Sequence, residues 1–328
     1  MKVDLGMETP ICSIIIRSFN EEKHIAKLIE GIQSQNIFNQ LEVILVDSGS
    51  TDQTVTIAKA ADLKVLSIRP EEFSFGRALN IGCQAATGKY LLFASAHVYP
   101  LYTDWVEKMV APLERNDKVA LVYGRQVGNE ITKYSEEQLF KKWFPAKSNY
   151  DQKIPFCNNA NAMVRKSLWK EQPYDEELTG LEDLDWATKI MEKGHSIAYE
   201  ATATIVHVHE ETPSRIKNRY RREAIALKNI YPDEKFNFLS FIRLSLGNIW
   251  ADSVHALHDR KFFKEFNFIV VFRVLQFWGT YKGYRQKQKP DETLRMRFYY
   301  PNEFRDKLFK KKSDELNPHL GKKIVYSS

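Results

Sequence analysis

The chain is poor in cysteine. Cys12, Cys83 and Cys157 are the only three in 328 residues, far apart and without a CxxC pair, so neither a disulfide framework nor a zinc cage is suggested. A reducing, cytoplasmic setting is the simplest expectation. No run of about 18 apolar residues is present that could span a bilayer. The opening stretch, MKVDLGMETP, lacks the apolar core of a signal peptide, and neither secretion nor a transmembrane anchor is expected. Also missing near the N-terminus is a glycine-rich, lysine-bearing phosphate loop, which weighs against nucleotidyl transfer from a triphosphate.

What is there belongs to an ordinary globular protein, 43% hydrophobic and 27% charged. The length allows one large domain or a domain plus an extension. The net charge of +6 is modest, yet the basic residues gather beyond residue 213. That asymmetry points to an anionic partner for the C-terminal part, nucleic acid or a phospholipid surface.

Residues 11 to 52 organise the rest. Ile11 to Ile16 and Val43 to Val46 are short, β-branched apolar runs of the kind buried on both faces of a parallel sheet. Between them Ile25, Leu28, Ile29 and Ile32 recur at helical spacing. The reading is strand, helix, strand. Each strand ends in a polar cluster, Arg17-Ser18-Phe19-Asn20-Glu21 and Asp47-Ser48-Gly49-Ser50-Thr51-Asp52. In an open parallel sheet both clusters would face one crevice.

At these clusters the chain resembles a family 2 glycosyltransferase of GT-A fold: Ser18-Phe19-Asn20-Glu21 stands for the family's first turn and Val46-Asp47-Ser48-Gly49-Ser50-Thr51-Asp52 for its second. The resemblance implies an α/β fold with a Rossmann-like, mostly parallel mixed sheet, and inverting transfer from a nucleotide-sugar, by default a UDP-sugar. It gives Phe19 a stacking face for the base and Asp47 a hydrogen bond to it, with Arg17, Asn20, Glu21 and Ser48 beside them. Read without the family, Asp47 or Asp52 would cap the helix that starts near Val55.

Further on, FSFGRALNIGCQAATG predicts a small-residue helix packed tightly on the sheet, and Tyr90 to Ala94 a central strand. The helix resembles the family's Ala-Arg-Asn-x-Gly segment through Asn80 and Gly82. Leu79 replaces the usual arginine, leaving Arg77 as the candidate for the nucleotide or its diphosphate, unless it bridges surface carboxylates. Where the family carries Asp-x-Asp, this chain has Ser95-Ala96-His97. Ser95 and Ala96 fall in the nucleotide site. His97 has three readings: a ligand to a divalent metal, with imidazole favouring Mn, Fe, Co or Zn over Mg; an imidazolium that neutralises the leaving diphosphate; or a structural histidine in an inactive chain. Mn2+ is the expected ion, with Mg2+ or no metal as alternatives.

Residues 129 to 154 show no clear period and read as a loop with short helical pieces. Asn158, Asn159 and Asn161 offer donors and acceptors for donor or acceptor sugar hydroxyls, or form ordinary turns. Glu182-Asp183-Leu184-Asp185-Trp186 is similar to the family's Glu-Asp-x-Asp-Trp motif. That resemblance makes Asp183 the general base, with Glu182 beside it and Asp185 and Trp186 near the sugars. Unaided, the three carboxylates read as helix-start charges. A strand from Ala198 to Val208 leads to His207 and His209, two apart and therefore on one face. By resemblance one of them approaches the diphosphate or completes a metal shell with His97; the alternative is one exposed and one buried structural histidine.

The resulting division is a catalytic domain over 1–212, a basic, aromatic helical extension over 213–285 and a partly disordered basic tail over 286–328. The extension would either dock on a membrane bearing a lipid-linked acceptor or pack on the domain or a second subunit, making a homo-oligomer. No nucleic-acid partner is expected. The function expected is glycosyl transfer to a glycan or lipid-linked acceptor in bacterial-type surface polysaccharide assembly, with a silent nucleotide- or glycan-binding scaffold as the rival.

Overall fold

The computed structural model describes residues 9–287 together with Leu294, Phe298 and Tyr299. The basic tail lies otherwise outside the described residues. The chain divides into two units, 1–289 and 290–328, and the first holds every element from Cys12 to Tyr284.

In chain order the elements are β1 (Cys12–Ser18), α1 (Ile25–Gln33), β2 (Leu41–Asp47), α2 (Thr54–Ala60), β3 (Lys64–Ser67), α3 (Phe75–Ala85), β4 (Tyr90–Ser95), β5 (Val98–Pro100) and α4 (Trp105–Arg115). Then come β6 (Val119–Val127), α5 (Tyr134–Trp143), β7 (Asn161–Arg165), α6 (Lys166–Glu171), α7 (Glu182–Glu192) and β8 (Ser196–His207). Helices α8 (Pro213–Ile230), α9 (Phe238–His258) and α10 (Phe262–Tyr284) follow.

One eight-stranded sheet has the order β3-β2-β1-β4-β7-β6-β8-β5. Strands β3, β2, β1 and β4 run parallel, β7 is antiparallel to both β4 and β6, β6 and β8 are parallel, and β5 is antiparallel to β8. Successive crossovers build outward from β1 to β2 and β3, and the next returns to place β4 on the other side of β1. The strand order therefore reverses between β1 and β4. Such a switch point opens a crevice at the carboxyl ends of the two strands, where the Ser18–Glu21 and Ser95–His97 segments leave the sheet.

Burial explains why β1 is central. Ile14, Ile15 and Ile16 are all fully buried, as a strand covered on both faces requires. Helix α1 turns Ile25, Leu28, Ile29 and Ile32 into the same core as Ile14, Ile16, Leu45 and Trp105. Each such side chain contributes about 1.5–3 kcal/mol through burial. On the other face α3 lies close because Gly82 has no Cβ where Ile15 and Val46 press.

Two expectations shift. Residues 134–143, inside the stretch read as a loop, form the ten-residue helix α5, and β8 spans Ser196–His207 rather than Ala198 to Val208. The three cysteines are free and buried. In the C-terminal part α10 packs on both α8 and α9; Gly279 leaves room for the Lys217 carbonyl of α8. Among the described residues no helix is long and apolar enough to cross a membrane.

Candidate active site

The turns after β1 and β2 are stitched into one cup. Asn20 takes a left-handed φ of 54°, tolerable for asparagine. Its N–H donates to Ser50 Oγ, its Oδ1 accepts from the Thr51 N–H, and the Glu21 N–H donates to Thr54 Oγ1. Asp47 shapes the second turn from within. Its Oδ1 accepts from the Ser18 and Ser50 hydroxyls, and its Oδ2 from the N–H groups of Gly49 and Ser50. Four donors fill a carboxylate's capacity. Asp47 therefore builds the wall instead of offering the base a free carboxylate, and it is Asp52 that receives the Thr54 N–H at the start of α2. Ser48 is buried and donates its hydroxyl to the Ser18 carbonyl; Phe19 is half-buried on the cup's first turn.

The second cluster is acidic. Leu181, with φ 57°, launches α7 so that Glu182 and Asp183 lie in its first turn, a strained non-glycine conformation of the kind kept at sites. Glu182 Oε1 pairs with Arg17 Nη1 at 3.1 Å, both side chains largely covered. Asp183 is buried; its Oδ2 accepts the Asn159 N–H at 3.1 Å and its Oδ1 the Leu184 N–H at 2.8 Å. Burial first, and the Glu182 carboxylate second, push the Asp183 carboxyl up to about 7 against those hydrogen bonds and the Arg17 charge. Beside it, Asn159 Oδ1 is buried without a partner.

The third cluster is a triangle of imidazoles. His97, His207 and His209 each offer a ring nitrogen, all within 4.8 Å of one another. Every Nδ1 faces an acceptor: Glu21 Oε1 at 2.7 Å for His97, Gln126 Oε1 at 2.8 Å for His207 and Glu136 Oε1 at 2.6 Å for His209. The Gln126 amide is oriented in turn by donation from its Nε2 to Asn158 Oδ1. With Nδ1–H donated outward, the remaining lone pair of each ring is on Nε2, and those of His207 and His209 stand 2.9 Å apart. Converging lone pairs require a cation between them. A divalent metal on three nitrogens satisfies this, and a shared proton satisfies only the His207–His209 pair. Burial, with His209 and His97 adding to it, keeps His207 from protonating. Glu136 would be raised by its own burial, but His209 and Arg219 outweigh this and hold it down to about 2.

The remaining residues expected at the site divide. Ser95 ends β4 in register with Arg17, and Ala96 is buried between Ser95 and His97. Arg77 lies 3.8 Å from Glu176, both about two-fifths exposed, an ordinary surface pair. Four expected contacts are corrected. Asn80 donates to the Tyr174 carbonyl and Glu176 and accepts from Trp169 Nε1 and the Tyr174 N–H, which leaves nothing for a nucleotide. Asn161, fully buried, accepts from Trp105 Nε1 and donates to the carbonyls of Arg125 and Ala203. Trp186 is 1% exposed, its Nε1 donating to the Gln172 carbonyl, and Asp185 is paired with Lys189 one turn on at 2.7 Å. Those side chains belong to the framework. Sequence reasoning missed Gln126, Glu136 and Arg219, which orient the imidazoles. The Glu136-Glu137 start and Lys141-Lys142 end of α5 were the available signal, a charge order that matches the helix dipole.

The chain is similar to known proteins in sequence and in fold. The family model "Glycosyl transferase family 2" matches residues 13–172. The chain is 26% identical over 222 residues to the O-antigen chain rhamnosyltransferase RfbN of Salmonella typhimurium, covering 63% of this chain and 69% of that one. It is 30% identical over 192 residues to the O-antigen chain rhamnosyltransferase WbaN of Salmonella anatum, covering 55% and 60%. Among solved structures it is similar to a mannosyltransferase of Pyrobaculum calidifontis in complex with GDP-Man and Mn2+, with a TM-score of 0.59, 18% identity and coverage of 85% and 88%. Staphylococcus aureus TarS in complex with UDP-GlcNAc gives a TM-score of 0.51 at 17% identity, covering 84% and 92%. The fold is GT-A.

Proposed function

Because this chain belongs to glycosyltransferase family 2, we propose that it moves a sugar from a nucleotide-sugar to a hydroxyl of a glycan or lipid-linked acceptor, with inversion, in the assembly of a surface polysaccharide. The relatives' names support the pathway class, and the ligands of the two solved structures support a nucleotide-sugar donor. UDP is the default base carrier. Three buried, free thiols suit a reducing cytoplasm.

The observation that carries the reading is Asp183. A carboxylate held in place by two N–H groups and pushed up to about 7 is ionised in part at neutral pH and basic enough to take a proton from an attacking hydroxyl. The acceptor oxygen forms its bond to the anomeric carbon from the face opposite the leaving group. Its proton passes to Asp183, and the bond from that carbon to the diphosphate oxygen breaks with its electron pair leaving on the nucleoside diphosphate. Asn159 Oδ1, buried with no partner of its own, supports a role for this residue in accepting from a sugar hydroxyl. Arg17 neutralises Glu182, so that only one of the adjacent carboxylates carries an uncompensated charge. The nucleotide base fits the cup between Phe19 and the Asp47–Thr51 turn.

His97, His207 and His209 fit a divalent ion, Mn2+ being the expected one; nitrogen donors suit Mn, Fe, Co or Zn better than Mg. Such an ion would neutralise charge on the diphosphate. Glu21, Gln126 and Glu136 fix the three rings for it.

Two measurements test this. Calorimetry with a panel of nucleoside diphosphates should show base-selective binding that depends on Mn2+ and is lost with chelator. Binding that survives chelation would replace the metal with a proton on the imidazoles. Asp183→Asn should lower turnover about 10²- to 10⁴-fold with nucleotide affinity unchanged; binding without turnover in the parent protein would make it a silent scaffold.

A further inference from the structure

Helices α9 and α10 break the usual rule of burial. On α9 Ser245, Asp252 and Ser253 are buried beside Phe241 and Ala256, while Leu239 is 72% exposed, Leu246 63% and Trp250 74%. On α10 Arg273 and Gln276 are buried beside Ile269 and Phe272, while Phe263 is 96% exposed. A helix that rests on a domain and faces water does the opposite. The outward residues of α9 are also ordered. Leu239, Ile242, Leu246, Trp250, Val254 and Leu257 recur every three or four positions and make one stripe about 27 Å long.

The buried Asp252 holds that stripe outward. Asp252 receives two hydrogen bonds from Arg273, at 2.7 and 2.9 Å, and one from the Ser135 hydroxyl of α5. Rotating α9 to hide the leucines would expose this pair and break it. The orientation is fixed by chemistry inside the protein, and the apolar face is its consequence.

Charge identifies what covers the face. Helices α9 and α10 and the turn between them hold three acidic residues, Asp252, Asp259 and Glu265; Asp252 is buried and paired, Asp259 accepts from the Tyr134 hydroxyl, and the Glu265 side chain is 16% exposed. Cations border the stripe: Arg243 on α9, Arg260 and Lys261 between the helices, and Lys264 beside Phe263. A second copy of the chain would set these cations against their own kind. An anionic lipid surface would meet them with opposite charge while accepting Trp250, Leu246 and Phe263 at the level of its headgroups. We propose that the outward face of α9, with the start of α10, docks on an anionic phospholipid bilayer and lies in its interface without crossing it. This goes beyond the glycosyl-transfer reading and does not rest on it.

The test uses the full chain with vesicles of phosphatidylcholine alone or mixed with phosphatidylglycerol. The expected result is sedimentation with the anionic vesicles, weakened by salt, and little with the neutral ones. Leu246→Ser with Trp250→Ser, and separately Arg260→Glu with Lys261→Glu, should each reduce binding roughly tenfold or more with far-UV circular dichroism and the thermal midpoint unchanged as the control for folding. The proposal is overturned if the parent chain stays in the supernatant or if both variants bind as well as the parent. It is equally overturned if the parent sediments in solution as a dimer that Leu246→Ser with Trp250→Ser dissociates, since a second copy would then own the face.

Discussion

Helices α1 and α9 obey the same period and opposite rules. In α1 the apolar stripe Ile25, Leu28, Ile29 and Ile32 faces the sheet and is buried; in α9 the stripe from Leu239 to Leu257 faces out, while Ser245, Asp252 and Ser253 face in with Phe241 and Ala256. Periodicity reports that a helix has two faces. Which face meets water is decided by what the neighbouring elements offer, and here α10 and α5 offer Arg273 and Ser135.

The sharpest way to break this contrast is to remove the pair that holds α9 in place. Arg273→Met leaves Asp252 buried and uncompensated and should cost about 3–5 kcal/mol in denaturant unfolding. A loss of under 1 kcal/mol would mean that the orientation of α9 has another source. The same substitution on the two helices sharpens the contrast further. Leu28→Ala should cost about 2–5 kcal/mol, whereas Leu246→Ala should stay within about 0.5 kcal/mol, and equal costs would show that the two leucines have equivalent surroundings after all.

A smaller effect belongs to the site itself. Asp183 must be ionised to act as base, and its carboxyl is raised, so turnover should fall as pH drops through about 7. Glu182 contributes to that elevation, so Glu182→Gln should move the acid limb of the pH–rate profile to lower pH. A limb that stays in place would assign it to another group. Helix α9 has no part in it, and substitutions there should leave the limb where it is.

Much of the sheet was legible because the side chains that β1, β2 and α1 bury are apolar apart from Ser13, Ser18 and Asp47, so that period and burial coincide. Helix α5 was not, since it buries Ser135 and Glu136 along with Tyr134 and Phe140, and no apolar period survives. At the site, the i, i+2 spacing of His207 and His209 and the place of His97 after a central strand brought the three imidazoles to attention. Their partners Gln126, Glu136 and Arg219 come from three other elements, and no spacing along the chain connects them. Asn80, Asn161 and Trp186 misled for a related reason. A sequence displays a side chain's capacity for hydrogen bonds, and only the fold reveals that backbone carbonyls and neighbouring side chains have already filled it.

Three consecutive residues at the start of α5 have three separate tasks. Tyr134 donates to Asp259, Ser135 to Asp252, and Glu136 accepts from His209 and Arg219. Each step along an α-helix turns the side chain by about 100°. One inserted or deleted residue between Tyr134 and Glu136 would therefore swing at least one of these groups away from its partner, and no adjustment elsewhere in the helix restores all three. Length variation in this part of the chain should therefore fall in the segments on either side, before Tyr134 or beyond Glu136, with this single turn as a fixed point.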